Sequence, residues 1–271
     1  MPRSSTNNRI WGDVEQFDTG KAVVEVALYY LSFVVIAGLV NALIISQVLL
    51  LFNVSRRFQW ALIVGFGISI IAAAIVGFRA ASNGAKGLTL QRVTMEKVPS
   101  LMNLTEGLCL SMGIEMPRVL ELCEPQINAA AFSVGNKRAV IVITSGALEA
   151  FTRLEYEAVL ARELARIRSG EIFFEARVRA LEKMTAPLFP FIIPKKQSKD
   201  LTAQLIAGDL AGVFFTRYPV AMISVLKAMQ VDPHARIANS SIRRRVLAPY
   251  WMHPELEDAD LTPRIKELES Y

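Results

Sequence analysis

Two long uncharged runs constrain this chain more than any other feature. Residues 26–52 supply 27 positions without a charged side chain, and residues 60–78 supply 19 more. A helix crossing the hydrocarbon core of a bilayer needs roughly 20 apolar residues, and it satisfies its backbone polar groups internally. Both runs meet that length. The gap at residues 53–59 is short, which predicts an antiparallel transmembrane hairpin over residues 22–78. Gly65, Ser69, Ala73 and Gly77 recur every four residues and place small side chains on one face. Such a stripe suits close helix packing. Residues 1–21 are polar and carry Asp13, Glu15 and Asp18, so an anchor rather than a cleaved leader is expected. Arg56 and Arg57 lie in the reversal; Arg3, Arg9 and Lys21 precede the first run, and Arg79, Lys86, Arg92 and Lys97 follow the second. This bias predicts two spans in an inner or plasma membrane, with both termini and the main domain cytoplasmic.

Residues 79–93 read as a linker around Ser82-Asn83-Gly84, and residues 94–271 as one further domain. A helix is expected over 94–113, ending at Gly113. Short strands are expected over 118–123, 129–134 and 139–144, with hairpin-turn chemistry at Gly135-Asn136-Lys137. Beyond Gly146 the apolar spacing of Leu154, Tyr156, Val159, Leu160, Leu164 and Ile167 turns helical. The expected fold class is therefore α+β, mainly helical with a small β-sheet, preceded by the two-helix hairpin. Residues 184–193 are apolar but too short to span and interrupted by Pro187 and Pro190. They pack on the domain or touch the bilayer shallowly. The net charge of +5, with Arg243-Arg244-Arg245 as its densest spot, suits an anionic membrane surface. No aromatic-rich RNA motif or basic helix points to nucleic acid. Cys109 and Cys123 are too few for a disulfide framework and read as free thiols.

The helical segment 157–167 contains Arg162-Glu163-Leu164-Ala165-Arg166. A zinc-peptidase helix carries His-Glu-x-x-His, with two imidazoles four residues apart on one face and the Glu as general base. Here the Glu position is kept as Glu163, while Arg162 and Arg166 stand where both histidines belong. Arginine stays protonated and offers no lone pair to a metal. Two guanidinium groups also repel a dication: one unit-charge pair at about 4 Å costs about 4 kcal/mol at an effective dielectric near 20, and Zn²⁺ doubles each such term. Only His234 and His253 remain in the chain, and they are not at ligand spacing.

Several further runs keep a shared order. Met112-Gly113-Ile114-Glu115-Met116-Pro117-Arg118-Val119 leads into the first strand, and Asn128-Ala129-Ala130-Ala131-Phe132 opens the second. Ile141-Val142-Ile143-Thr144-Ser145-Gly146 precedes the active-site-like helix. Thr216-Arg217-Tyr218-Pro219, His253-Pro254 and Pro263-Arg264-Ile265 follow it. From about residue 98 to 268 this resembles the HtpX-like membrane zinc metallopeptidases, relatives of the CAAX-prenyl endopeptidases. The resemblance implies a zincin-like domain in which zinc is held by two His and a downstream Glu. Those positions correspond to Arg162, Arg166 and Leu205 in this chain, Leu205 through the pattern that ends at Asp209. Glu171 stands where the family has an Asp. All three ligands are replaced, so zinc, the family's cofactor, is expected to be absent.

The resemblance then implies a membrane-anchored pseudopeptidase, a degenerate and inactive homologue. It would act by binding, scaffolding or regulating membrane proteins or a membrane assembly. Two readings of the altered site stand. In one, Glu163 and Arg166 pair, and Arg162 pairs with Glu171 or Asp209, so that an ionic cluster replaces the metal. In the other, Arg162 and Arg166 form an anion pocket for a carboxylate or phosphate. The strand Asn128, Ala129, Ala130, Ala131 and Phe132 lies at the substrate cleft in the family and is a candidate peptide-binding edge; it equally serves merely to complete the sheet. The alternative to a pseudopeptidase is an active metalloendopeptidase with non-standard metal ligation, cleaving membrane proteins in quality control, with Glu163 as its catalytic base.

Overall fold

The computed structural model describes residues 19–80, 90–134, 138–185, 198–234, 250–253 and 260–271. The tail up to residue 18, the Ser82-Asn83-Gly84 stretch, the turn at 135–137, the apolar run beyond residue 185 and the arginines at 243–245 lie outside these residues. The chain divides into two units, one of residues 19–83 and 173–195, the other centred on residues 84–172 and 196–271. Residues 173–185 thus group with the apolar helices.

The first unit holds α1 (Thr19–Leu51) and α2 (Arg57–Ala80). Their segments Val23–Leu51 and Arg57–Gly77 are long and apolar enough to cross a membrane. Asn53 and Arg56 adopt left-handed backbone in the reversal between them, and Asn is among the residues that tolerate it best. The small-residue stripe lies at the helix–helix contact. Ser69 and Ala73 are buried. A Cβ placed on Gly65 would lie 2.6 Å from the Ala42 nitrogen and 2.9 Å from the Gly38 carbonyl oxygen, so the backbones touch there. Asn41 Nδ2 donates to Ser69 Oγ at 3.1 Å, and Ser69 Oγ donates to the Gly65 carbonyl at 3.0 Å. The opposite faces leave Leu39, Leu43, Ile63, Ile70 and Ile71 exposed. Soluble surfaces rarely carry apolar areas of this extent, whereas lipid accepts them.

The second unit is built on a four-stranded sheet: β1 (Leu90–Arg92), β2 (Arg118–Leu122), β3 (Ala129–Val134) and β4 (Arg138–Thr144), in the order β1-β2-β4-β3. The β2–β4 pair is parallel, and the β1–β2 and β3–β4 pairs are antiparallel. β1 falls inside the expected linker; three residues are too few to show an alternation. The first helix of the unit, α3 (Pro99–Met112), starts five residues later than expected, because Thr94 to Lys97 close a turn and Pro99 sets the first helical position. Gly113 ends it with φ of 67°, as expected. In α3, burial pushes the Cys109 thiol up to about 11, so it behaves as an apolar core group; Cys123 is exposed. Ala130, Phe132, Val140 and Val142 share one face of the sheet and pack with Leu122, Tyr250 and Trp251.

After β4 come α4 (Ser145–Ala150), α5 (Arg153–Ser169), α6 (Glu171–Thr185), α7 (Ser198–Thr216), α8 (Pro219–Val231) and α9 (Thr262–Glu269). α5 begins at a capping box, with Glu155 accepting from the Thr152 N–H at 2.7 Å, and ends at Gly170 with φ of 80°. It packs against α3, α7, α8 and β3, and every residue from 158 to 166 is buried. A helix enclosed on all sides buries its polar positions with its apolar ones, and that fixes the problem the site must solve.

Overpacking at the hairpin contact is expected to destabilise it. Gly65→Val should lower the stability of the detergent-solubilised protein by about 1–3 kcal/mol, read as a fall in thermal midpoint. Gly67→Ala, whose added Cβ meets nothing within 4 Å, should leave the midpoint unchanged.

Candidate functional site

Arg162, Glu163 and Arg166 project from the enclosed stretch of α5, where no solvent compensates their charge. α7 comes close enough to reach them because of two glycines. A Cβ on Gly212 would sit 2.9 Å from both the Arg162 nitrogen and its Cα, and one on Gly208 would meet the guanidinium at 3.5 Å. Between those glycines stands Asp209, fully buried. α9 contributes Arg264, 1% exposed.

These side chains form one network. Asp209 Oδ1 accepts from Arg162 Nε at 2.8 Å and from Arg264 Nη2 at 2.7 Å, and its Oδ2 accepts from Arg264 Nε at 2.7 Å. Arg264 therefore grips the carboxylate with two parallel bonds, the strongest form of this pair. Glu163 Oε1 accepts from Arg162 Nη1. Its other oxygen accepts from the Ala131 N–H at 2.8 Å and from Arg166 Nη1 at 3.3 Å. Arg166 Nε also lies 3.5 Å from Glu171 Oε1, which takes a further bond from Gln204 Nε2. Among the described residues, three arginines thus face three carboxylates, and their formal charges balance.

The expected pairing of Glu163 with Arg166 holds, in the interior rather than on a helix surface. Of the two partners considered for Arg162, the fold selects Asp209; Glu171 goes to Arg166. The anion-pocket reading meets guanidiniums already engaged by the chain's own carboxylates, so an added anion would have to displace one of them. Leu205 is half-buried, one helical turn before Asp209 on the same face of α7. Sequence reasoning assigned no role to Arg264, Gly208 or Gly212. The Gly-Asp-x-x-Gly spacing of residues 208–212 was a usable signal, since small residues four apart mark a close helix contact.

The candidate peptide-binding strand needs correcting. β3 is an edge strand, but its outer edge is taken. The Met252 N–H donates to the Ala129 carbonyl at 2.8 Å, and Ala130 forms an antiparallel bridge with Trp251. Asn128 Nδ2 donates to the His253 carbonyl at 2.9 Å, while Asn128 Oδ1 accepts from the His253 N–H at 3.1 Å. Glu163 holds the Ala131 N–H. Ala129, Ala130, Ala131 and Phe132 are all buried.

This arrangement can be set beside known proteins. The chain is 37% identical over 79 residues to the "Protease HtpX homolog" of Dictyoglomus thermophilum, a stretch covering 29% of this chain and 26% of that protein. It is 30% identical over 124 residues to the "Protease HtpX homolog" of Streptococcus pyogenes serotype M3, covering 46% of this chain and 40% of the relative. The chain is HtpX-like. It spans less than half the length of these curated relatives. No protein-family model matches it.

The zinc that the HtpX-like resemblance implies does not fit the donor set at this place. Arg162 and Arg166 offer donors only, Leu205 offers none, and the three carboxylates are satisfied by guanidiniums. Among the described residues, no group of three His, Cys, Asp or Glu side chains is placed to hold a metal ion.

Losing one charge of this cluster should be far costlier than losing a matched pair. Asp209→Asn is expected to reduce stability by about 3–5 kcal/mol, because the buried Arg264 loses its carboxylate and Arg162 one of its two. Arg162→Met combined with Glu163→Gln removes one charge of each sign. It should cost at least about 1 kcal/mol less than the two single substitutions summed. Thermal denaturation of the wild type and the four variants measures both.

Proposed function

We propose that this HtpX-like chain is a membrane-anchored pseudopeptidase that binds, scaffolds or regulates membrane proteins. One observation carries the reading: two of the three positions that would ligate zinc, Arg162 and Arg166, belong to a charge-balanced cluster with Arg264, Glu163, Asp209 and Glu171. Hydrolysis of a peptide by the zincin route needs a polarised carbonyl and a water made nucleophilic by the metal. Here the Glu163 carboxylate is spent on Arg162, Arg166 and a backbone N–H.

What the cluster does instead is structural. It ties α5 to α7 through Asp209, α9 to α7 through the same carboxylate, and β3 to α5 through Glu163. The task a metal would perform, holding helices together at one point, is carried out by charge pairing. The two apolar helices support attachment to a lipid bilayer. The Lys and Arg distribution favours both termini and the main domain on the cytoplasmic side.

Purified protein in detergent or vesicles, incubated with unfolded casein and with a membrane-protein substrate, should give no cleavage that depends on added zinc or is abolished by a chelator. Chelator-sensitive cleavage that disappears in a folded Glu163→Gln variant would overturn the proposal in favour of an endopeptidase with unusual ligation.

A further inference from the structure

We propose that α1 pairs with α1 of a second copy of this chain inside the bilayer, through the half of the helix next to the reversal; this rests on the membrane-anchored part of the reading above, not on the loss of catalysis. The carboxamide of Asn41 carries the argument. A Cβ on Gly77, the last residue of the second apolar segment, would lie 3.7 Å from the Tyr30 hydroxyl oxygen, so that segment is matched by α1 from Tyr30 to Leu51. At 1.5 Å per residue this stretch is about 32 Å long, close to the thickness of a hydrocarbon core. Asn41 stands at its middle, where no water is at hand to satisfy a polar group. An amide side chain has two N–H donors and a carbonyl acceptor. Asn41 gives one N–H to Ser69 Oγ at 3.1 Å. Among the described residues nothing takes the other or donates to Oδ1, and the side chain is only half-buried.

The residues that follow supply a surface for a partner helix. Asn41, Ile44, Val48 and Leu51 succeed one another at steps of three, four and three, the a and d spacing of a helical pair. Ile44, Val48 and Leu51 are exposed. At the same level α1 buries Ala42 and Ser46, which lie about 200° round the helix from Ile44 and Val48, so α2 leaves this face open. In the other direction the spacing reaches Ala37, which packs with Ala73 of α2 and ends the open face at Asn41. Lipid covers aliphatic side chains well but cannot answer an amide. A second copy can. It enters the bilayer in the same orientation, so the two α1 helices run parallel and bring their Asn41 side chains to one depth across a two-fold axis. Each amide then donates its remaining N–H to Oδ1 of the other. The leftover groups are one donor and one acceptor, a set that an identical side chain completes by itself; a foreign helix would have to carry both at that depth. A single Asn at an a position also fixes register, because any slip separates the two amides.

The test uses full-length protein in phosphatidylcholine vesicles, in a Cys123→Ser background that removes the exposed thiol and keeps the buried Cys109. Ile44→Cys should form a disulfide-linked dimer on mild oxidation, whereas Ile63→Cys, exposed on α2, should not. Energy transfer between differently labelled copies, followed as lipid dilutes them, should show Asn41→Leu raising the dimer dissociation constant about tenfold or more. Ser69→Ala removes the same bond within the hairpin but keeps the amide, and should leave the dimer in place. Equal cross-linking at both positions, or a dimer unchanged by Asn41→Leu, overturns the proposal. If Asn41→Leu does not fold, the two cross-links decide. Ile44→Cys protein that cross-links in native membranes only to a different protein overturns the second copy in favour of a foreign helix. Protein washed from the vesicles by carbonate overturns the membrane reading and the interface together; inserted but monomeric protein overturns the interface alone.

Discussion

The Asp209 carboxylate is the group on which the sheet-bearing unit depends. It lies in the interior between two guanidiniums, one from α5 and one from α9, and its own helix approaches because Gly208 and Gly212 flank it. A buried ion pair is a poor source of net stability, since desolvation offsets most of the attraction. Its force lies in the penalty for disruption. No member of the cluster can leave without stranding a charge, so the helices, β3 and the 250–253 segment are locked into one arrangement. Positional specificity rather than raw stabilisation is what the cluster supplies.

That logic explains how an enclosed helix tolerates the segment Arg162-Glu163-Leu164-Ala165-Arg166. Two arginines four residues apart would repel each other in a low-dielectric interior. Glu163 sits between them and bonds both, and each arginine has a second carboxylate partner from another element. The cluster is isolated from solvent, yet every charge has an opposite charge in contact. The formal charges of the six described side chains sum to zero.

Much of this was legible before the fold was known, and the reasons differ by element. The two apolar helices follow from length and composition, which lipid makes decisive. β3 and β4 are buried, β-branched or small, and bounded by turn residues, so their limits were readable nearly to the residue. β1 was not, because three residues carry no period. The start of α3 was misplaced because a turn at 94–97 looks helical until Pro99 is taken as the first helical position. For the site, the grouping of Arg162, Glu163 and Arg166 on one helix was visible in the sequence, and the fold keeps them together. The partner of Arg162 was narrowed to two carboxylates but not chosen, since the choice rests on how closely α7 approaches. Arg264 lies 102 positions from Arg162, and no local pattern joins them. The closure of the β3 edge by residues 250–253 is likewise a long-range pairing that hydrophobic alternation cannot report.

Metal content tests the central reading most directly. Full-length protein, purified in detergent without added zinc or chelator and shown to be folded and monodisperse, would be analysed for zinc per chain by elemental analysis. A cluster of arginines and satisfied carboxylates predicts a value near zero that stays near zero after incubation with zinc and desalting. About one zinc per chain, lost on substitution of Glu163, Asp209, His234 or His253, would contradict it, because a bound dication requires at least three unprotonated ligands that this arrangement does not provide.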